Sequence, residues 1–246
     1  MIYNADCLKV LKDMPTESVD LMVTDCPYRI CNCGNPGCGG MLSGKYRGQG
    51  RVFEHNDIGF TDWLPECYRV LKNDTHAYIM INPRNLKDLQ VACENTGFRF
   101  QQLLIWDKGN VTPNRWYMNS CELILMVRKG KAKPIADKGT PNILRIPNVR
   151  GKVHPTEKPV ELMEVLIKNS SQEGDTVLDP FMGCGSTIIA AEKLNRNGIG
   201  IEIDPKYYEI AEKRLQNYTD SKEIIINNEE TVRKIDQIAE GQMSFF

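Results

Sequence analysis

No apolar run in this chain approaches the ~20 residues that a membrane span needs, and its start shows no pattern of a secretory leader. No internal repeat appears. An excess of charge of one sign is also lacking: the net charge is −1, too little for a general nucleic-acid coat. The nine cysteines are an odd number and contain no C-x2-C pair, so neither a disulfide framework nor a paired zinc knuckle is indicated. Scattered through core-like segments at Cys67, Cys93 and Cys121, they read as reduced thiols of a cytoplasmic protein. What is present is a chain of 246 residues, 41% apolar and 26% charged, enough for one good core in one large domain with a small insertion.

The chain is organised around Asp25-Cys26-Pro27-Tyr28. Residues 19–24 (VDLMVT) are aliphatic and β-branched with polar flanks, so they predict a buried strand, and the tetrapeptide sits where that strand ends. In an α/β sheet that edge carries ligands. A carboxylate and turn carbonyls accept the N–H bonds of an exocyclic amine, and a tyrosine stacks on a planar ring. An ordinary turn closing a strand is the other reading of the four residues taken alone.

A second glycine-bearing turn follows a second strand. Residues 176–187 (TVLDPFMGCGST) run from a strand ending in Asp179, through Phe181, to Gly183 and Gly185, with Ser186 expected to cap a helix starting at Thr187. The third glycine of a dinucleotide fingerprint is missing, since Ile188 stands there. A ligand without a phosphate to seat suits this turn better. Glu202 ends the next strand, seventeen residues past Gly185, where an acid bonds ribose hydroxyls. Asp204-Pro205 reads as a helix cap and first residue.

Both motifs resemble the amino-methyltransferases of DNA. Asp25–Tyr28 is similar to their Asp-Pro-Pro-Tyr signature, with Cys26 in place of the first proline, and residues 179–187 are similar to their loop for S-adenosylmethionine. The catalytic turn precedes the donor loop, an order that resembles the β class of the family over residues 1–217. The resemblance implies an α/β, Rossmann-like S-adenosylmethionine-dependent methyltransferase with a doubly wound mixed sheet and an inserted recognition region. It implies catalytic roles for Asp25, Cys26, Pro27 and Tyr28. It places Asp6, His154, Lys158, Asp179, Phe181, Gly183, Gly185, Ser186, Thr187 and Glu202 at the donor. Asp6 also reads as a helix N-cap. An aspartate at the first position implies adenine N6 as the methyl acceptor in a flipped base, with cytosine N4 as the alternative.

Between the two motifs the charge is uneven. From Arg128 to Lys158, nine lysines and arginines face only Asp137 and Glu157, a local charge of +7. Such a patch on a neutral protein suits phosphate contact with double-stranded DNA. Segment 107–153 is the expected target-recognition region, with Arg115, Lys129, Lys131, Lys133, Arg145 and Arg150 as DNA-binding candidates. A solvated loop is the other reading of 129–152. Residues 29–60 open with a glycine-rich stretch read as a mobile catalytic loop. Its Cys31, Cys33 and Cys38, with Cys26 or His55, form the one zinc alternative, which would go with a non-catalytic nucleic-acid-binding module. The C-x-C-x4-C spacing leaves no metal as the expectation.

The stripe Phe60, Trp63, Leu64, Cys67, Tyr68 and Leu71 predicts an amphipathic helix, and strands are expected at 76–81, 98–106 and 121–127. Residues 218–246 form an acidic appendage. It ends in Gln242-Met243-Ser244-Phe245-Phe246, which resembles the short peptide that docks on the bacterial sliding clamp. No membrane partner is expected, and either a monomer or a homodimer fits.

Overall fold

Eight strands form one mixed sheet in a computed structural model that describes residues 1–28, 58–112, 116–152, 154 and 157–221. Residues 29–57 with Cys31, Cys33, Cys38 and His55, together with Arg115 and residues 222–246, lie outside the described residues. The strands are β1 (Ile2–Asn4), β2 (Val19–Asp25), β3 (Leu71–Ile81), β4 (Arg99–Thr112), β5 (Asn119–Lys129), β6 (Ile143–Arg145), β7 (Thr176–Asp179) and β8 (Asn197–Glu202). Their order is β1-β8-β7-β2-β3-β5-β4-β6. All neighbours run parallel except β5, which is antiparallel to both β3 and β4.

Alternation along the central strands builds two cores. Met22, Ala77, Ile79, Ile81, Leu125 and Val127 face helices α1 (Cys7–Asp13), α2 (Phe60–Val70) and α3 (Leu86–Thr96). Leu21, Val23, Tyr78, Met80, Ile124 and Met126 face α4 (Val160–Ser170). The run at 19–24 is apolar at nearly every position because both faces of β2 are covered. Trp63, Leu64 and Cys67 of α2 are fully buried, so the expected stripe is core. Burying one such large side chain contributes roughly 1.5–3 kcal/mol.

The strand order fixes where a ligand fits. From β7 the chain passes through α5 (Ser186–Lys193) to β8 on one side, whereas from β2 it passes through α2 to β3 on the other. β7 and β2 are neighbours, so a crevice opens between their carboxyl ends, the switch point of a doubly wound sheet.

Three expectations change in detail. The strand expected at 98–106 runs on to Thr112, pairing with β5 as a long hairpin. The basic segment contains β6, which pairs with β4 at Ile105↔Ile143, and Trp106 Nε1 donates to Ile146 O at 2.7 Å. A helix α6 over 205–221 runs through residue 217, where the domain was expected to end. Among the described residues no helix is long and apolar enough to cross a membrane.

Candidate active site

Asp25 is the last residue of β2, in register with Met80 of β3, and it enters the crevice beside Asp179 at the end of β7. Thr24 Oγ1 donates to Asp179 Oδ1 at 2.7 Å and stitches the two strands together. Phe181 N donates to the same oxygen at 3.1 Å. Burial pushes Asp179 up to about 6, against the Thr187 and Thr24 hydroxyl bonds that pull it down. Its hydrogen bonds go to the protein, so Asp179 shapes the turn that follows it.

That turn is drawn tight by Gly185 N donating to Met182 O at 2.8 Å. Gly183 and Gly185 have φ of +52° and +82°, a region costly for other residues. Helix α5 begins at Ser186 with Gly185 as its capping residue, which corrects the expected start at Thr187 with a Ser186 cap. A Cβ at 185 would stand 3.1 Å from Ala211 Cβ, so a side chain there would crowd α6 as well as strain the backbone. Arg214 of α6 donates to Cys184 O at 2.7 Å and pairs with Glu157 at 3.0 Å, clamping the turn from behind.

A cavity of about 410 Å³ joins the two motifs. It is lined by all four residues Asp25, Cys26, Pro27 and Tyr28. At its far end lie Asp6, Glu202 and Asp204, and along its side His154, Phe181 and Gly183. Lys158, Asp179, Ser186 and Thr187 line it as well, whereas Gly185 stands behind the wall. β1 pairs with β8 at Asn4↔Glu202, which brings Asp6 to the same end as Glu202. Asp6 caps α1 through Leu8 N at 2.9 Å. Glu202 accepts from Gly183 N at 3.0 Å and Asp204 N at 2.8 Å, so its carboxylate is fixed in place. Asp204 caps α6 by accepting from Lys206 N at 2.9 Å. His154 is buried against Tyr207, ring centroids 4.1 Å apart, and its burial, with Lys158 nearby, lowers its pKa to about 4. It is neutral at physiological pH.

The turn at Asp25 carries a charge row absent from the sequence-based expectation. Lys158 Nζ lies 2.5 Å from Asp25 Oδ2 and 3.4 Å from Glu122 Oε2, and Lys108 Nζ lies 3.4 Å from Glu122 Oε1. Burial disfavours a charged Lys158, but Asp25 and Glu122 together hold its pKa above the usual lysine range. Burial raises Asp25, with Lys158 pulling against it. The Cys26 thiol is buried and pushed well above its ordinary range by burial and by Asp25, so it is no nucleophile. Glu122, Lys108 and Tyr207 escaped sequence reasoning. The one available signal was an acid inside the apolar run CELILMV.

The basic candidates divide. Lys129 is a correction: only 6% exposed, its ammonium donates to Tyr68 O at 2.9 Å and Leu71 O at 2.6 Å at the end of α2. A phosphate cannot reach it. Lys131 and Lys133 are exposed but follow β5 at the wrong end of the sheet. Lys129 pairs with Thr75, five residues back along β3 from the Met80 that pairs with Asp25, roughly 17 Å at ~3.4 Å per residue. Arg145 pairs with Asp107 in register, beyond the carboxyl end of β3, and is 77% exposed on the catalytic edge. Arg150 is exposed farther along the same segment, and Lys152 lies near enough to act on Asp25.

A mixed sheet with a switch-point cavity, lined by acids at one end and by the Asp25–Tyr28 turn at the other, defines a Rossmann-like S-adenosylmethionine-dependent methyltransferase. The chain belongs to the N6/N4 DNA methylase family, whose model matches residues 19–213. Type II methyltransferase M2.DpnII of Streptococcus pneumoniae is 30% identical over 239 residues, spanning 88% of this chain and 89% of that one. DNA adenine methyltransferase YhdJ of Escherichia coli (strain K12) is 31% identical over 255 residues, spanning 87% and 82%. The crystal structure of the M1.HpyAVI complex with S-adenosylmethionine superposes with a TM-score of 0.67 at 27% identity, covering 87% of this chain and 98% of that one. The methyl donor is S-adenosylmethionine. The residues fit it: Asp6, Glu202 and Asp204 offer acceptors for hydroxyls and an amine and would repel a phosphate.

Proposed function

We propose that the chain is a site-specific DNA methyltransferase acting on the exocyclic N6 of adenine in a flipped base. The placement of Asp25, at the point where the donor cavity meets the catalytic turn, carries this reading. An exocyclic amine is a poor nucleophile because its lone pair is delocalised into the ring. Asp25 and the Cys26 carbonyl each accept one of its N–H bonds, which localises the lone pair. S-adenosylmethionine, when bound, supplies a sulfonium methyl that leaves without its electron pair. The amine nitrogen becomes positive on gaining that methyl, and Asp25 takes the proton it sheds. Alignment and electrostatics supply the acceleration, and no covalent intermediate with the enzyme is needed.

A base stacked in a duplex is out of reach of a cavity this deep, so the target is flipped out, at a cost of a few kcal/mol. Tyr28 stacks on it, worth ~1–3 kcal/mol. Glu202 and Asp6 hold the nucleoside end of the donor, and His154 lines the cavity as a neutral ring beside Gly183. Arg145, Arg150 and Lys152 lie on the catalytic edge and meet the phosphates, with Arg115 joining them by family resemblance. The protein works in the cytoplasm, as a monomer or homodimer. Gln242 to Phe246 dock it on a bacterial sliding clamp; a version ending at Gly241 that binds the clamp equally well would remove that part.

Labelled S-adenosylmethionine incubated with unmethylated DNA tests the whole reading. Label is expected at adenine N6 with the wild type and not with Asp25→Ala, whose donor affinity stays within a few-fold. Full transfer by Asp25→Ala would overturn the mechanism.

A further inference from the structure

Asp25 terminates a row of four alternating charges that the transfer scheme above does not require. Lys108 of β4 meets Glu122 of β5, Glu122 meets Lys158, and Lys158 meets Asp25 at 3.4, 3.4 and 2.5 Å. Lys158 is only 7% exposed, and burying an ammonium is costly unless carboxylates face it. Asp25 alone would neutralise it. In that case the ammonium would be free to shift between the two carboxylate oxygens and to compete with a substrate N–H for either of them. Glu122 Oε2 also reaches the same nitrogen, at 3.4 Å.

We propose that Glu122 is a positioning residue for methyl transfer: it draws the Lys158 ammonium aside, so that one oxygen of Asp25 stays bonded to Lys158 and the other faces the target amine. This rests on the methyltransferase reading given above. Lys108 keeps Glu122 ionised for the task. Burial would raise Glu122, but Lys158 and Lys108 together hold it below its ordinary value. Besides Lys158 and Glu122, the charged groups acting on Asp25 are Lys152 and Asp179, with the Cys26 thiol and Tyr28 phenol neutral beside it.

The test is the pH profile of single-turnover methyl transfer in the full chain, for wild type, Glu122→Gln and Lys158→Met. Glu122→Gln keeps the volume and one acceptor. It releases the ammonium onto Asp25, so the acidic limb moves to lower pH and the rate falls roughly tenfold. Lys158→Met removes the cation from Asp25, and the limb moves to higher pH. Glu122→Asp, which keeps the charge, returns the limb toward the wild-type position. Calorimetric affinity for S-adenosylmethionine within twofold of wild type in both Glu122 variants shows that the folded site survives. Limbs that shift in the same direction, or a Glu122→Gln rate equal to wild type, would overturn the inference while leaving the transferase reading intact. A wild type that transfers no methyl to DNA would overturn the reading and this inference together.

Discussion

Replacing Lys129 by methionine should destabilise the protein without touching its affinity for DNA. The ammonium lies 2.9 Å from Tyr68 O and 2.6 Å from Leu71 O, two carbonyls at the end of α2 left without helical partners. It also stands 4.8 Å from the centre of the Tyr68 ring and 3.6 Å from Glu17. A positive charge is favourable at a helix C-terminus, by ~0.3–1 kcal/mol. Methionine fills most of the volume but donates nothing, so both carbonyls lose the hydrogen bond from the ammonium, at roughly 1 kcal/mol each. The solvent-facing Glu17 contact adds little. The sum is about 2–3 kcal/mol, and at ~2–4 °C per kcal/mol for a domain of this size the melting temperature falls by about 4–12 °C. Thermal and urea unfolding measure the loss, and DNA binding over a salt series measures the other half. A variant that melts with the wild type but whose log–log salt slope drops by about one would refute the reasoning, since Lys129 would then be a phosphate contact.

Gly185→Val should weaken S-adenosylmethionine binding at least tenfold by calorimetry, because φ is +82° and the new Cβ meets Ala211 at 3.1 Å. Glu202→Ala should weaken it by about 1–3 kcal/mol, since the fixed carboxylate and its hold on Gly183 N are both lost. Reversing Arg145 and Arg150 to glutamate should reduce the salt slope of DNA binding by about one per lost contact, whereas reversing Lys131 and Lys133 should leave it unchanged. His154 has a folded pKa of about 4 against an ordinary 6.5, so the unfolded chain binds the proton more tightly between those values. Stability is therefore full above about pH 6.5 and falls by on the order of 2–3 kcal/mol as pH drops through 4. Urea midpoints of His154→Gln should lack this part of the slope.

The fold was legible wherever a local signal matched the final environment. VDLMVT is apolar at nearly every position because β2 is buried on both faces, and the stripe from Phe60 to Tyr68 is helical because one side of α2 meets the sheet, whereas Leu71 already opens β3. The glycines at 183 and 185 announced a turn that only positive φ allows, and Asp204-Pro205 announced the start of α6. Charge was read less well. A count of lysines and arginines cannot tell a solvated side chain from Lys129, whose ammonium is buried at the end of a helix 58 residues away in sequence. Nor can it see that β5 runs against its neighbours, which carries Lys131 and Lys133 to the edge opposite Asp25.

The same reversed strand explains why the charge row could not be foreseen. Glu122 lies at the start of β5 and Lys108 near the end of β4, and an antiparallel pair brings such ends together on the catalytic edge. Lys158 enters from the segment before α4, and its bond to Asp25 spans 133 positions. Each residue has an ordinary local reading: a solvated lysine, an odd acid in an apolar strand, a lysine before a proline-started helix. Sheet order alone makes them one array, because β5 lies between β3 and β4 rather than at the edge. A parallel strand in that place would have carried Glu122 to the far end of the sheet, away from Lys158. The antiparallel strand is thus the element through which topology reaches the electrostatics of the Asp25 carboxylate.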